Sequence, residues 1–173
     1  MAYSIQTTVS FEEITVNKQG DKIYISADDS ALFDRFVNGF KSIMERAKKH
    51  DADMEEIEKK YEGKEDIESD IEKTVEVSRV NMAFSEDGKR TIDSIFGEGT
   101  TGKYFREIYE KIPDFTPGVN CFLDFFEEIS PAMEQIFDRE IEKRAELERE
   151  REKARKARME KYKPQDHRRP GGK

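Results

Sequence analysis

The fold is decided by the stretch NCFLDFFEEISPAMEQIFDREI, residues 120–141. Its apolar residues recur at steps of three and four, the period of one face of an α-helix. They are Phe122, Leu123, Phe125, Phe126, Ile129, Met133, Ile136, Phe137 and Ile141. The stretch therefore predicts a strongly apolar helix that belongs to the core, with a kink or a restart at Ser130-Pro131.

Three phenylalanines of this helix, Phe122, Phe125 and Phe126, cover more than one of its faces. Such a run is more often core than contact surface. A body this small has limited room to bury every ring, however, so a surface for self-association or for a partner groove is the alternative.

Outward from this helix, the N-terminal third predicts a β-hairpin followed by a helix. Two β-prone runs, Ile14–Val16 and Lys22–Ser26, flank the glycine-containing segment 17–21, and such a hairpin needs the support of a helix. Asp28, Asp29 and Ser30 offer side-chain oxygens to a helix start. One broad apolar face then follows, made of Leu32, Phe33, Phe36, Val37, Phe40, Ile43, Met44 and Ala47.

The middle of the chain is more polar and predicts weaker elements. Residues 48–65 are almost wholly polar and indicate a loop or a weak solvated helix. A narrow apolar stripe follows at helical spacing and predicts a helix that packs along one edge only; it consists of Ile67, Ile71, Val75, Ser78 and Met82. A turn is expected at Asp87-Gly88, then a short amphipathic stretch over 91–96 and a short helix over 104–112.

The fold class predicted from these elements is mainly α with a small N-terminal β-hairpin, a helical bundle plus a long charged C-terminal helix. Acids and bases intermix from Asp138 to Lys161 at spacings that hold a solvated helix through local charge pairs. We expect a compact acidic body over residues 1–143, a charged solvated helix over 144–163 and a disordered basic tip over 164–173.

Charge is unevenly distributed along the 173 residues, whose net charge is −8. Nine lysines or arginines and two acids lie between Lys153 and Lys173, so this end carries +7 and residues 1–152 carry −15. An acidic body repels nucleic acid, which is therefore not expected as a partner. The basic end favours a protein surface of opposite sign, through Arg155, Lys156, Arg158, Arg168 and Arg169.

Two features bear on the compartment. A single cysteine, Cys121, lies in an apolar run and cannot form an internal disulfide, as is typical of a reducing compartment. No apolar run approaches the roughly 18 to 20 residues of a membrane span, and the first residues lack the pattern of a signal peptide. A cytoplasmic protein that does not bind membranes is expected.

One motif invites a catalytic interpretation. The segment Gly97–Lys103 satisfies most of the phosphate-loop pattern, but Tyr104 follows the lysine where a Ser or Thr should hold magnesium. A glycine-rich connection between short helices is the simpler interpretation. His50 and His167 lie in charged, flexible contexts without plausible metal partners, and the acid-rich stretches lack calcium-loop spacing. We therefore expect no enzyme activity and assign no catalytic, cofactor-binding or metal-binding residue.

Three motifs carry a family resemblance: IDSIFGEGT over 92–100, CFLDFFEEISP over 121–131, and EKYKP over 160–164 before a basic tip. In these motifs and in the order of its elements, the chain resembles the tail assembly chaperones of long-tailed bacteriophages that infect Gram-positive bacteria. The likeness covers most of residues 11–165, although 48–88 has little counterpart. It implies a non-virion protein that keeps the tape measure protein soluble and helps recruit tail tube subunits, without catalytic residues.

Two hypotheses of different kinds follow. The first is a client-holding assembly chaperone, indicated by the resemblance and by apolar helices beside a charged rod; a homo-oligomer is compatible with it. The second is a small phage-encoded inhibitor that binds a host defence protein, indicated by an acidic body that could mimic nucleic acid.

Overall fold

The computed structural model describes residues 11–161 and confirms the predicted fold class, mainly α with a small N-terminal hairpin. Within residues 11–161, two strands and five helices follow one another: β1 Glu12–Thr15, β2 Lys22–Ile25, α1 Leu32–Tyr61, α2 Ile67–Phe96, α3 Thr100–Tyr104, α4 Arg106–Lys111 and α5 Val119–Lys161.

The hairpin pairs antiparallel, with Glu12 opposite Ile25 and Thr15 opposite Lys22. Asn17 and Asp21 close its loop, because the Asp21 amide donates to the Asn17 side-chain oxygen at 2.9 Å. Alternation along β2 buries Ile23 and Ile25 in the main core. The hairpin is therefore supported by the helices, as its small size requires.

Helices α1 and α2 form a long antiparallel pair. Contacts along the pair run from Gly39 with Ile95, through an ion pair of Arg46 with Asp87, to one of Lys60 with Glu76. Of the two alternatives predicted for 48–65, the loop holds only for 62–65, and the rest of the stretch is helical because α1 continues to Tyr61. Its last turns are held by contacts with α2 that no local sequence pattern reveals.

Helix α2 also differs from the prediction. Residues 87 and 88 lie inside one continuous helix, so the predicted turn is wrong, and the stretch 91–96 is the end of that helix. Gly88 is buried among side chains, and Asp87 pairs with Arg46 of α1. Here the glycine allows a close approach between helices instead of a change of chain direction.

Helix α5 runs for 43 residues and includes Pro131, so the helix does not restart there. The Ser130 hydroxyl donates to the Phe126 carbonyl at 2.6 Å, which gives the backbone a partner next to the proline. Phe126 packs against Phe36 and Phe40 of α1, and Phe137 packs against Phe33. Helix α5 is thus antiparallel to α1, and its C-terminal part extends past the N-terminal end of α1.

The core lies where the hairpin, α1, the second half of α2 and the first half of α5 meet. Its buried members are Ile23, Ile25, Leu32, Ile43, Ala47, Phe84, Ile92, Ile95, Phe96, Phe105, Phe122, Phe125, Phe126, Ile129, Met133 and Ile136. Residues 51–82, here called the arm, project from this core as the far end of the α1–α2 pair. The exposed end of α5 projects from the other side.

Candidate partner-binding surface

The arm carries a row of exposed side chains on α2, four of them apolar and one a serine, here called the α2 stripe: Ile67, Ile71, Val75, Ser78 and Met82. The exposed fractions are 79 % for Ile67, 59 % for Ile71, 43 % for Val75 and 52 % for Met82. The sequence predicted a helix that packs along this stripe as its one edge; the helix is present, but the packing prediction is wrong because the stripe is exposed. Within the described chain, nothing covers it.

Cross-helix contacts explain why the stripe faces outward. Lys60 pairs with Glu76 at 2.5 Å and Lys73 pairs with Glu58 at 2.6 Å, so these two positions of α2 face α1. With 3.6 residues per turn, Ile71 and Val75 then lie on the opposite side of α2. The polar face of α2 holds the arm together and leaves the apolar face to solvent.

Buried side chains and a helix cap stabilise the arm. Ile57 and Tyr61 of α1 are buried against α2, and the Tyr61 hydroxyl donates to Glu76 at 3.1 Å. At the start of α2, Asp66 accepts from the Ser69 amide at 2.8 Å, a helix cap that also lowers the pKa of Asp66. An ordered helix pair therefore presents the α2 stripe.

The stripe lies on the same face of α2 as residues that are buried nearer the core. Further along the same face of α2, Ser85, Ile92 and Phe96 are at most 6 % exposed, and Phe96 packs against Phe125 of α5. The stripe has no such cover within the described chain. A helix placed on the stripe would extend the packing that α2 already makes in the core.

The arm is strongly acidic. Residues 51–82 contain twelve acids and five bases, a net charge of −7, about half of the −15 that residues 1–152 carry. Glu68 and Asp70, beside the stripe, make no ion pair with any residue of the described chain. The N-terminal part of the apolar row is thus bordered by acids that form no ion pair with the described residues.

A second apolar area, here called the α1 patch, lies on the opposite end of α1 and consists of Phe33, Phe40 and Met44. Its members are 54 %, 41 % and 37 % exposed, in that order. The sequence placed all three on the broad apolar face of α1. Helix α5 covers the middle of that face and leaves its margin open, which the spacing of residues along α1 does not reveal.

The three phenylalanines proposed as partner contacts lie in the core: Phe122 is 0 % exposed, and Phe125 and Phe126 are each 1 % exposed. Among their neighbours, Phe84 packs against Phe122, and Tyr104 packs against Phe125. The structure favours the core interpretation of this run. A partner-binding role for it stays a prediction.

Of the proposed basic contacts, Arg155, Lys156 and Arg158 are exposed near the end of α5, far along the chain from the buried phenylalanines. Arg168 and Arg169 lie outside the described residues, as does His167. Along the described part of α5, the last ion pair joins Arg144 with Glu140 at 2.9 Å. The cations beyond it are available to a partner.

Within the glycine-rich segment, residues 97–99 connect α2 to α3, and residues 100–103 belong to α3. The segment follows helix α2 instead of the strand that a phosphate loop requires, and Lys103 donates to the Lys22 carbonyl at 2.9 Å. The Asp93 carboxylate accepts from the Thr101 amide at 2.9 Å and from the Gly99 amide at 3.3 Å. An acid of the chain itself therefore holds amides that a phosphate would need.

His50 is not in a flexible context, contrary to expectation. Its Nε2 lies 2.8 Å from the Asn81 side-chain oxygen, and its ring packs against Phe84 across the helix pair. Residues 11–161 contain no group of three His, Cys, Asp or Glu arranged to hold a metal. In the same range, no helix combines the length and apolar character that crossing a membrane requires.

Comparison of the chain with protein-family models, with curated proteins and with solved structures found no significant match. A functional proposal therefore rests on the surfaces described above and on the resemblance noted in the sequence.

Proposed function

We propose that this protein is a non-enzymatic assembly chaperone that holds a helical segment of a client protein on its arm. The family resemblance supplies the client, a phage tape measure protein, and a further role in recruiting tail tube subunits. Its place of action in this proposal is the cytoplasm of the cell that produces the phage.

The observation that carries the proposal is the exposed α2 stripe on an ordered helix pair. Four large apolar side chains in a row on one helix are unusual on a surface with no function, because water disfavours contiguous apolar area. Helix-in-groove recognition uses such rows, read at steps of three and four. The acids around the stripe keep the protein and its complexes in solution.

Co-expression tests this proposal. The tape-measure-like client is expressed alone, with the wild-type chain, or with the double variant Ile71→Gln and Val75→Gln, and its soluble fraction is measured. Wild type is expected to raise that fraction and the double variant is not. The matched control Thr74→Gln changes an exposed residue beside the stripe and should behave as wild type.

No gain in client solubility with the wild-type chain would count against the chaperone proposal. The control variant guards against a general effect of changing the surface of α2.

The alternative function is a small phage-encoded inhibitor of a host defence protein. The charge of the arm supports it, since a row of acids can occupy a nucleic-acid site. The apolar stripe argues against it, because nucleic-acid backbones offer no matching apolar row. Capture of a host nuclease from lysate, in place of tail proteins, would favour this alternative.

A further inference from the structure

The spacing of the α2 stripe is that of a coiled-coil seam. From Ile71 the steps to Val75, Ser78 and Met82 are four, three and four residues, the alternation that lets one helix pack along another. Ser78 is the small member of the row, with its hydroxyl 3.9 Å from the Met82 sulfur. The row therefore has a depression at Ser78 that a large side chain of a facing helix can fill.

The charges beside this seam select the partner. Glu68, Asp70 and Glu72 border it and form no ion pair with the rest of the described chain, and Glu72 has only a 3.4 Å hydrogen bond from Tyr61. Charges flanking a helical seam set which helices pair, through attraction across the interface or repulsion. A helix with acidic flanks is repelled here, and one with basic flanks is attracted.

We propose that the α2 stripe binds a single amphipathic helix of a partner protein, whose apolar row is bordered by lysines or arginines. This inference rests on the proposed function and names the kind of client segment that the arm holds. The partner helix packs on the seam and pairs with acids at its border. On the arm, it continues the layer that α5 forms over the second half of α2.

A second copy of α2 is the poorer occupant. Pairing two stripes would bring the acids of two arms, each with net charge −7, against one another. The described part of the chain's own α5, up to Lys161, runs away from the stripe. Phe137 already lies beside Phe33, at the end of α1 remote from the arm, and the helix continues away from there.

Binding of designed peptides tests the inference without the client. Three labelled peptides of about 21 residues, three heptads long, are compared by fluorescence anisotropy. The first has a leucine row flanked by lysines, the second has the same row flanked by glutamates, and the third has the composition of the first in scrambled order. Wild type is expected to bind the first at least about tenfold more tightly than either of the others at low salt.

Three variants of the full chain, one of them a control, sharpen the test. The Ile71→Gln, Val75→Gln variant should lose at least about tenfold in affinity for the lysine-flanked peptide, whereas Thr74→Gln should not. The charge-reversed variant Glu68→Lys, Glu72→Lys should instead prefer the glutamate-flanked peptide. Circular dichroism and thermal unfolding check that each variant is folded, and all changed side chains except that of Val75 are well exposed.

Equal binding of the scrambled peptide would overturn the inference, since charge alone would then explain the attraction. Unchanged affinity of the stripe variant would overturn it as well. So would self-association of wild type that blocks peptide binding and disappears in the stripe variant, because a second copy would then occupy the seam. Peptide binding as expected, with no gain of client solubility in co-expression, would sink the proposed function and leave this inference standing.

Discussion

The ring of Phe122 on α5 packs directly against the backbone of Gly88 on α2. A methyl group added at Gly88 would lie 2.7 Å from two carbons of that ring, closer than real side-chain contacts allow. Phe122 itself is fully buried and also contacts the rings of Phe84 and Phe105. The absence of a side chain at Gly88 therefore sets the distance between the two helices.

Gly88→Ala should destabilise the protein, because the ring that must move is fully buried and packed against Phe84 and Phe105. Overpacking of this kind typically costs about 1 to 3 kcal/mol, which thermal unfolding will register as a lower Tm. The matched control is Gly102→Ala on α3, where an added methyl group meets no atom within 4 Å. A Tm unchanged in Gly88→Ala would show that α2 and α5 are not held at this spacing.

Gly88 also shows where the sequence misleads. Asp-Gly is a common turn signal, and local chemistry alone cannot tell a turn from a close contact between helices. What decides between the two is Phe122, 34 positions away in the chain, because its ring occupies the volume next to Gly88. Apolar spacing, by contrast, correctly predicted the first half of α1, the helix of the α2 stripe and α5, because these periods are local.

A related reason explains why the sequence left residues 48–65 open between a loop and a weak helix. Residues 48–61 have few apolar side chains, and their helix depends on pairing with α2 through Lys60, Tyr61 and Glu76. Which face of α2 would be used for that pairing could not be read from the sequence. The face of α2 that pairs with α1 determines that the α2 stripe is exposed. The sequence therefore predicted the row of side chains but not its exposure to solvent.

Phe125→Ala is expected to lower stability strongly. The ring is 1 % exposed and packs against Phe96, Tyr104 and Phe126, and truncating a buried Phe typically costs about 3 to 5 kcal/mol. Glu56→Ala, at an exposed position of the arm, is the control. Equal melting temperatures for the two variants would mean that Phe125 is a contact residue and not part of the core.

Acid should weaken the link between the hairpin loop and α4. The Asp21 carboxylate accepts hydrogen bonds from the Asn17 amide at 2.7 Å and from Arg106 at 3.0 Å, and these two partners, Asn17 first, lower its pKa. A pKa lower in the folded than in the unfolded chain means that the stabilisation is present above the unfolded pKa, and it is lost as the pH falls through the folded value.

Asp21→Asn should therefore lower the Tm at neutral pH, and the difference from wild type should shrink below about pH 4. Thermal unfolding between pH 7 and pH 2 measures it. The control is Asp114→Asn, at an exposed carboxylate outside the helices that makes no ion pair with the described residues, which should leave the Tm unchanged. A gap between Asp21→Asn and wild type that stays constant down to the lowest pH would contradict the assignment.

Removing the chain after Lys143 tests the predicted boundary of the body. The last buried residue of α5 is Ile136, while Arg139 and Lys143 still pair with Glu12 and Asp28. Because exposed pairs contribute little, and the truncation removes only residues beyond them, thermal unfolding of the body should be nearly unchanged. Failure of the truncated chain to fold would make the tail part of the core and move the boundary.

The basic end should contribute to client binding through charge. Arg155, Lys156 and Arg158 are exposed, and no ion pair occupies them in the described chain, so they are free to meet an acidic client surface. Replacing them together with Arg168 and Arg169 by Gln should weaken client binding mainly at low salt, because exposed charges are screened beyond roughly 8 Å at physiological ionic strength. Titrations at two salt concentrations measure the effect.

A matched control distinguishes the position of these charges from their number. It replaces five exposed lysines elsewhere by Gln: Lys18, Lys41, Lys48, Lys49 and Lys59. If the control weakens binding as much as the tail variant, net charge alone is responsible for the effect.

An unchanged affinity of the tail variant at low salt would mean that the tail contributes to solubility and not to client binding. Tight binding of wild type to duplex DNA at physiological salt would instead reopen the nucleic-acid interpretation, against which the acidic arm and the scarcity of aromatic residues in the tail argue.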